Sequence, residues 1–224
     1  MGTERRPATI PALLIGLPLL ANVASFIIFA PLFAAPSALA PAPAAYQRAG
    51  TQLGVAVLAL EVLGLGVVAW ALRCERKSLR DLVNFQAGRW RTYLITGLLA
   101  LPLTLVAGWL YARGQAQMGI ELHPARLGPG QVALWYLVTP LTAALVEEMI
   151  WRGYALPRLR GPWRGLILTS CSFALFHGIF PLPFAATLLQ GLVWGWAFRR
   201  SGSTVPGLVL HLISRYLALV PGFG

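Results

Sequence analysis

Long apolar runs are the feature of this sequence that most restricts its fold. Seven such segments can be drawn, and several reach the roughly 20 residues that an α-helix needs to cross a bilayer. Inside a membrane only helices and closed barrels satisfy all their backbone hydrogen bonds, so runs of this length predict helices. The expected fold is an all-α, polytopic transmembrane helical bundle of about seven helices. The segments are Thr9–Ala35, Thr51–Leu72, Thr92–Ala112, Val132–Trp151, Gly165–Ile179, Pro183–Phe198 and Thr204–Val220.

Charge is too sparse for a water-soluble surface. Of the 224 residues, 57% are hydrophobic and 11% are charged, whereas a soluble domain carries about 25% charged residues. Little polar sequence separates the apolar segments, so we expect one integral membrane domain over residues 1–224. The net charge of +11 lies in short clusters between the segments, without the basic and aromatic surface that nucleic-acid binding requires. The expected partner is therefore the lipid bilayer and not nucleic acid.

The two sides of the predicted bundle differ in their Lys and Arg content. With the loops assigned alternately, one side holds fourteen basic residues, and the other holds only Arg48, Arg113 and Arg126. Cytoplasmic loops carry the excess of Lys and Arg in membrane proteins. The sequence therefore predicts a cytoplasmic N-terminus and an external C-terminus.

The first apolar segment has a second interpretation, as a signal peptide. Arg5 and Arg6 precede it, and Ala38-Leu39-Ala40 follows it in the manner of a cleavage site. Its apolar stretch is about twice as long as the core of an ordinary signal peptide. This length favours a retained helix.

Two short motifs predict local structure. Ser78-Leu79-Arg80-Asp81 has the form of a capping box and predicts the start of a short helix, with a solvated loop as the alternative. Gly191 and Gly195 form a GxxxG pair, which predicts close packing against a neighbouring helix.

Ionisable residues within the apolar segments are the strongest pointers to function, because a charge near the bilayer centre is costly. Glu148 and Arg152 stand four residues apart in the order that favours an ion pair on a helix. Glu147 projects about 100° around the same helix and has no such partner, which leaves it available as a general base. The full set is Glu61, Glu147, Glu148, His177, His211 and Arg215, with Arg152 near a membrane face.

Three of these residues are expected to meet. Glu147 and His177 are equally far along the chain from a possible turn at Arg160-Gly161-Pro162-Trp163, provided that the fourth helix continues past Pro157. His211 lies about 10 Å along its helix from the cytoplasmic end. The sequence therefore predicts convergence of the three side chains in the cytoplasmic half of the membrane.

These residues resemble the motifs of the CAAX-protease and bacteriocin-processing family of intramembrane proteases, which includes the type II prenyl-protein endopeptidases. Glu147-Glu148-xxx-Arg152 matches the family motif EExxxR, and Phe173-xxx-His177 matches FxxxH. His211 matches the start of HxxxN, but Arg215 stands where the family has Asn. The resemblance covers roughly residues 78–224, which would form a protease-like core behind the N-terminal helices in residues 1–77.

The resemblance implies an endopeptidase of the glutamate or metallo type, acting on a peptide or a membrane protein. Glu147 would activate water, and His177 and His211 would position it or stabilise the oxyanion. Glu148 and Arg152 would hold the helix and its charge balance. No cofactor is implied with certainty. Zinc could be bound by Glu147, His177 and His211, although the sequence has no HExxH motif.

Arg215 departs from the family pattern and needs a partner, because arginine stays charged. Glu61 is expected near the midplane at a similar depth, so the sequence predicts a Glu61–Arg215 ion pair with spare donors for the oxyanion. Pairing of Arg215 with Glu147 would instead weaken the base. That arrangement would favour an inactive scaffold or immunity-type protein of the same fold. A small proton-coupled transporter is a third interpretation.

Overall fold

The computed structural model describes residues 9–33, 43–117, 128–218 and 220. Within these ranges the chain is helical and has no strand, which confirms the all-α prediction. The residues Arg5, Arg6 and Arg126, the Ala38-Leu39-Ala40 site and the C-terminus lie outside the described ranges.

Seven long helical stretches correspond to the seven predicted segments, and one short helix lies between the second and third. α1 comprises Thr9–Pro11, the π-helical segment Ala12–Gly16 and Leu17–Phe33; α2 is Pro43–Cys74, and α3 is Arg80–Val83. A 3₁₀ turn, Ala87–Arg89, leads into α4, Trp90–Gln117. α5 runs without a break through Pro129–Ala133, Leu134–Val138, Thr139–Glu147, Glu148–Ala155 and Leu156–Arg158. α6 is Pro162–Phe176, α7 is Pro181–Ser201 and α8 is Val205–Ala218.

The protein is an integral membrane protein by the length and composition of its helices. Among the described residues, four stretches are long and apolar enough to cross a membrane, namely Thr9–Pro31, Arg48–Cys74, Arg80–Gln117 and Pro129–Arg158. Trp163–Phe176 and Val205–Leu217 are shorter apolar helices. Large apolar side chains point outward from α1 and α4, as a surface in contact with lipid requires, including Phe26, Ile27, Leu98 and Leu99.

α7 lies at the centre of the bundle, packed against α4, α6 and α8. Its two GxxxG glycines face α6, and this contact confirms the predicted close packing. A Cβ atom on Gly191 would lie 2.9 Å from the Cα atom of Ser170, and Gly195 faces the side chain of Leu166. α8 also packs against α4 and α5, while α2 packs against α1 and α5. These contacts bring α2, α5, α6 and α8 around one buried region.

The turn between α5 and α6 lies where the sequence predicted it. α5 continues past Pro157 to Arg158. Gly161 then adopts a φ of 82°, a left-handed conformation that favours glycine, and α6 begins at Pro162. α5 and α6 are therefore antiparallel neighbours, with Glu147 and His177 at matching distances from the turn.

Two polar contacts hold the loop that follows α2. The Asp81 carboxylate accepts a hydrogen bond from the Ser78 amide at 2.7 Å, so the predicted short helix forms and extends for four residues. Glu75 pairs with Arg158 at the end of α5. The same loop is thereby tied to the turn between α5 and α6.

Candidate active site

Glu147 and Glu148 lie where α5 changes its helical geometry. Glu147 ends the α-helical segment Thr139–Glu147, and Glu148 begins the π-helical segment Glu148–Ala155. Short π-helical segments inside α-helices are frequent at functional sites. Both carboxyl groups are fully buried. Adjacent helical positions point in different directions, so the two groups meet different neighbours.

Glu148 forms the predicted ion pair with Arg152. The Nη1 atom of Arg152 lies 2.9 Å from Oε1 of Glu148, and both side chains are buried. The guanidinium group stacks over the Phe173 ring, 4.2 Å from its centroid, which adds a cation–π contact. A Cβ atom on Gly207 would lie 2.5 Å from Oε2 of Glu148, so glycine at this position makes room for the carboxylate.

Glu147 faces both predicted histidines. Its Oε2 atom lies 3.6 Å from Nε2 of His177 and 3.6 Å from Nε2 of His211. His177 follows the last residue of α6, and its Nδ1 lies 2.9 Å from the Phe173 carbonyl oxygen. His211 stacks on the ring of Trp194 at a centroid distance of 4.3 Å. The structure thus brings Glu147, His177 and His211 together, as the motif spacing predicted.

Arg215 completes this cluster from α8. Its Nη2 atom donates to Nε2 of His177 at 2.9 Å, its Nε donates to Nε2 of His211 at 3.3 Å, and Nη2 lies 3.5 Å from Oε1 of Glu147. Since arginine only donates, Nε2 of each histidine is an acceptor. The Phe173 carbonyl only accepts, so Nδ1 of His177 carries the ring proton. Both histidines are consequently neutral.

This arrangement corrects two expectations drawn from the sequence. Among the described residues, the carboxylate within 4 Å of Arg215 belongs to Glu147, so the predicted Glu61–Arg215 ion pair is wrong. The structure instead has the alternative pairing of Arg215 with Glu147, and it corrects the expectation that Glu147, which lacks an i+4 arginine, is left without a partner. Arg215 follows His211 by one helical turn, so both side chains leave the same face of α8 and reach Glu147 together.

Glu61 reaches the cluster from α2 by a different contact. It is only 2% exposed, and within the described ranges neither of its carboxyl oxygens meets a hydrogen-bond donor in favourable geometry. Its carboxyl group adjoins that of Glu147 and lies within electrostatic range of Arg215. The structure therefore places a third carboxyl group beside the pair on α5.

The sequence did not single out several residues that line the site. Tyr111 of α4 approaches His177, with ring centroids 6.5 Å apart and ring planes nearly perpendicular. The Trp194 indole donates to the Thr104 hydroxyl at 3.2 Å, which fixes the ring that supports His211. Aromatic residues in apolar helices are common, so the sequence favoured no more than a packing or anchoring role for Trp194 and gave no reason to assign Tyr111 to the site. A small cavity is lined by Tyr111, His177, Thr187, Gln190, His211, Ser214 and Arg215.

The geometry of this cluster is unfavourable for zinc. Over the ranges that the structure describes, no group of three or more His, Cys, Asp or Glu side chains is arranged to hold a metal ion. Nε2 of both histidines and Oε1 of Glu147 face the Arg215 guanidinium. A zinc ion bound by these three residues would meet a fixed positive charge.

Comparison with known families agrees with these motifs. Residues 129–217 match the family model described as type II CAAX prenyl endopeptidase Rce1-like. Neither the curated proteins nor the solved structures include a significant match to the chain. The matched segment runs from α5 to α8 and includes Glu147, Glu148, Arg152, His177, His211 and Arg215. Over this segment the chain is similar to the type II CAAX prenyl endopeptidase Rce1-like family, which supports the CAAX-protease resemblance of its motifs.

Proposed function

We propose that the protein is an intramembrane endopeptidase in which Glu147 activates the attacking water. The observation that carries this proposal is the convergence of Glu147, His177 and His211 within 3.6 Å inside a segment that matches a family of endopeptidases. A carboxylate beside neutral imidazoles supplies a proton acceptor and positioning groups for one water molecule.

The proposed reaction needs only the peptide and water. Glu147 takes one proton from water while the water oxygen bonds to the scissile carbonyl carbon, which gives a tetrahedral oxyanion. Glu147 then gives that proton to the amide nitrogen as the carbon–nitrogen bond breaks. The second water proton leaves the new carboxylic acid, and the products are a carboxylate and an amine. His177 and His211 hold the water in line with the carbonyl.

Arg215 has a place in this mechanism. Its guanidinium and the Glu147 carboxylate neutralise each other, which lowers the cost of burying either charge. Glu147 can therefore be present as the carboxylate that a general base requires. The guanidinium also has donors for the oxyanion, a role that the Asn of the family motif would fill. Preorganised donors of this kind are usually the largest electrostatic contribution to such a reaction.

We further propose that the whole chain is one membrane domain, in which residues 78–224 form the catalytic core. The substrate would be a peptide or a membrane-protein segment, for which a prenylated C-terminal peptide is the first candidate given the family match. The site would open to the cytoplasmic half of the membrane, with the N-terminus cytoplasmic and the C-terminus external.

A second candidate is an inactive scaffold or immunity-type protein of the same fold. Two observations favour it. Arg215 pairs with Glu147 at 3.5 Å, and a neighbouring cation makes a carboxylate a weaker base. Nη2 of Arg215 also lies 2.9 Å from Nε2 of His177, in the space where a catalytic water would be positioned. In this account Arg215 blocks the site. The two candidates differ in what happens when the family's Asn is restored.

The test is cleavage of a quenched-fluorescent prenylated peptide by purified protein in liposomes without an ion gradient. An active protease should lose turnover in Glu147→Gln and should keep it after prolonged chelation, because Arg215 stands where a metal would bind. If only Arg215→Asn cleaves the peptide, the inactive candidate is correct. Loss of activity on chelation with rescue by zinc would contradict the metal-free mechanism. Proton-coupled flux in the same liposomes without cleavage would favour the transporter.

A further inference from the structure

The charges of the buried cluster do not balance as they stand. Three carboxyl groups, from Glu61, Glu147 and Glu148, meet two guanidinium groups, from Arg152 and Arg215. Both site histidines are neutral, because they accept hydrogen bonds from Arg215. Three ionised carboxylates would leave one net negative charge in the membrane interior. An unpaired buried charge costs several kcal/mol, so the cluster should hold one additional proton.

Two of the three carboxyl groups have a cationic partner. Glu148 lies 2.9 Å from Arg152, and Glu147 lies 3.5 Å from Arg215. Glu61 has no such ion pair among the described residues, and its carboxyl group adjoins that of Glu147. Two neighbouring buried carboxyl groups are not both ionised at once. The contacts therefore favour Glu61 as the group that holds the proton.

The surroundings of Glu61 leave Glu147 as its natural acceptor. Neither Glu61 oxygen meets a donor in favourable geometry over the described ranges. Thr142 adjoins Glu61, but its hydroxyl proton goes to the Val138 carbonyl at 2.9 Å, so Thr142 does not donate to Glu61. A protonated carboxyl group has one O–H donor. Oε2 of Glu147 has no hydrogen-bond partner among the described residues, and an ionised carboxylate is a stronger acceptor than the neutral Thr142 hydroxyl.

We propose that Glu61 is protonated and donates a hydrogen bond to the Glu147 carboxylate, as a positioning residue of the site. This role rests on the proposed function, since it orients the carboxylate that activates water. Glu61 lies outside residues 129–217, so α2 would supply a site residue that the family match does not contain. The packing of α2 against α5 holds the two carboxyl groups together.

Infrared spectroscopy tests whether the Glu61 carboxyl group is protonated, and it does not require peptide cleavage. The full-length protein, in a detergent that lacks carbonyl groups, should show the C=O stretching band of a protonated carboxyl at neutral pH. The band should disappear in Glu61→Gln. In Glu147→Gln it should disappear or shift, because Glu61 either ionises opposite Arg215 or exchanges a charged acceptor for a neutral amide oxygen.

The matched control is Thr96→Val, which changes a buried polar side chain on α4 that also lacks a hydrogen-bond partner within the part of the chain that the structure describes. This variant should keep the wild-type band. Absence of the band from the wild type, its persistence in Glu61→Gln, or an unchanged band in Glu147→Gln would each overturn the proposal.

Kinetics test the positioning role separately. Glu61→Leu should lower kcat by about 10- to 100-fold, the effect of losing one hydrogen bond to a charged group, and leave KM unchanged. Glu61→Gln should recover most of the activity, because its amide can donate to Glu147. Wild-type kcat in Glu61→Leu would overturn the role. If neither the wild type nor any variant cleaves a peptide, the proposed function fails. The infrared result would still show whether Glu61 is protonated.

Discussion

Arg215 determines how charge is distributed around the site. One side chain contacts Glu147, His177 and His211, and those contacts make both rings acceptors and give Glu147 a counter-ion. Arg152 has the corresponding role for Glu148 on the other side of α5. The two adjacent glutamates consequently have different partners: Glu148 forms an ion pair with Arg152, whereas Glu147 faces His177, His211 and Arg215.

Glu148→Gln tests the structural half of this division. It should leave the buried Arg152 without a counter-ion and destabilise the protein by about 3–5 kcal/mol, seen as a lower Tm in detergent. The double variant Glu148→Leu with Arg152→Met should recover part of the loss, because it removes both buried charges. A Glu148→Gln protein as stable as the wild type would contradict the assigned role.

Sequence reasoning reached the site residues but not all of their partners. Glu147, Glu148, His177 and His211 could be predicted because each is ionisable in an apolar segment, and helix periodicity relates Glu148 to Arg152. The partner of Arg215 could not be predicted from the sequence, because depth along a helix does not specify which face of the helix points inward. The predicted depth in the membrane put Arg215 beside Glu61. In the structure Arg215 lies one helical turn after His211, and it therefore points to Glu147. The sequence assigned neither Tyr111 nor Trp194 to the site, since they are chemically ordinary in membrane helices.

At the scale of elements, α5 and its contacts with α6 and α8 form the site. The turn at Gly161 sets α6 antiparallel to α5, which places His177 level with Glu147. Gly207 lets α8 approach Glu148 and so brings His211 and Arg215 within reach. The position of α6 in turn depends on its close contact with α7 at Gly191.

Gly191→Ala tests that helix contact. The added Cβ would lie 2.9 Å from the backbone Cα of Ser170, so α6 and α7 must separate, at a cost of about 1–3 kcal/mol. Gly97→Ala on α4 is the matched control, because no described residue beyond its own helix turn lies within 4 Å of the added Cβ. The control should be neutral or slightly stabilising. Equal Tm values for the two variants would show that the close approach is unimportant.

Glu75 lies just outside the membrane-spanning segments, and its ion pair with Arg158 ties the end of α2 to the end of α5. The hydrogen bond from Arg158 is the main reason that the pKa of Glu75 lies below its ordinary value of 4.5. A carboxylate with a lowered folded-state pKa stabilises the fold above its unfolded pKa, and the effect is lost as pH falls through the folded pKa.

Glu75→Gln should therefore lower stability at neutral pH by up to about 1 kcal/mol, the range for a partly exposed pair. The difference from the wild type should vanish on acidification below pH 4.5. Thermal unfolding across this pH range provides the measurement. A difference that stays constant with pH would show that the carboxylate charge has no part in the contact.

At the scale of the whole molecule, the bundle combines a lipid-facing surface with one buried polar cluster. The apolar side chains that point outward from α1 and α4 suit a bilayer, and the ionisable groups inside the segments gather around Glu147. Helix count and class could be predicted because bilayer thickness sets the length of apolar runs. The exact helix ends could not be predicted, because α2 and α5 extend beyond their apolar segments into polar sequence.

The orientation prediction can be tested by fusing a reporter after Gly224. Since basic residues favour the cytoplasmic side and seven segments are odd in number, the C-terminus should be external. A reporter that works only after export should be active there, and one that works only in the cytoplasm should be silent. The reverse result would overturn either the number of spans or the orientation.

The most direct test of the account is a comparison of peptide termini in membranes of cells that express the wild type or Glu147→Gln at matched levels. We predict that a defined set of membrane-associated proteins carries new termini only with the wild type, while Glu147→Gln inserts and accumulates normally. Identical termini in the two membranes, or cleavage by Glu147→Gln at the wild-type rate, would contradict hydrolysis by a glutamate-activated water.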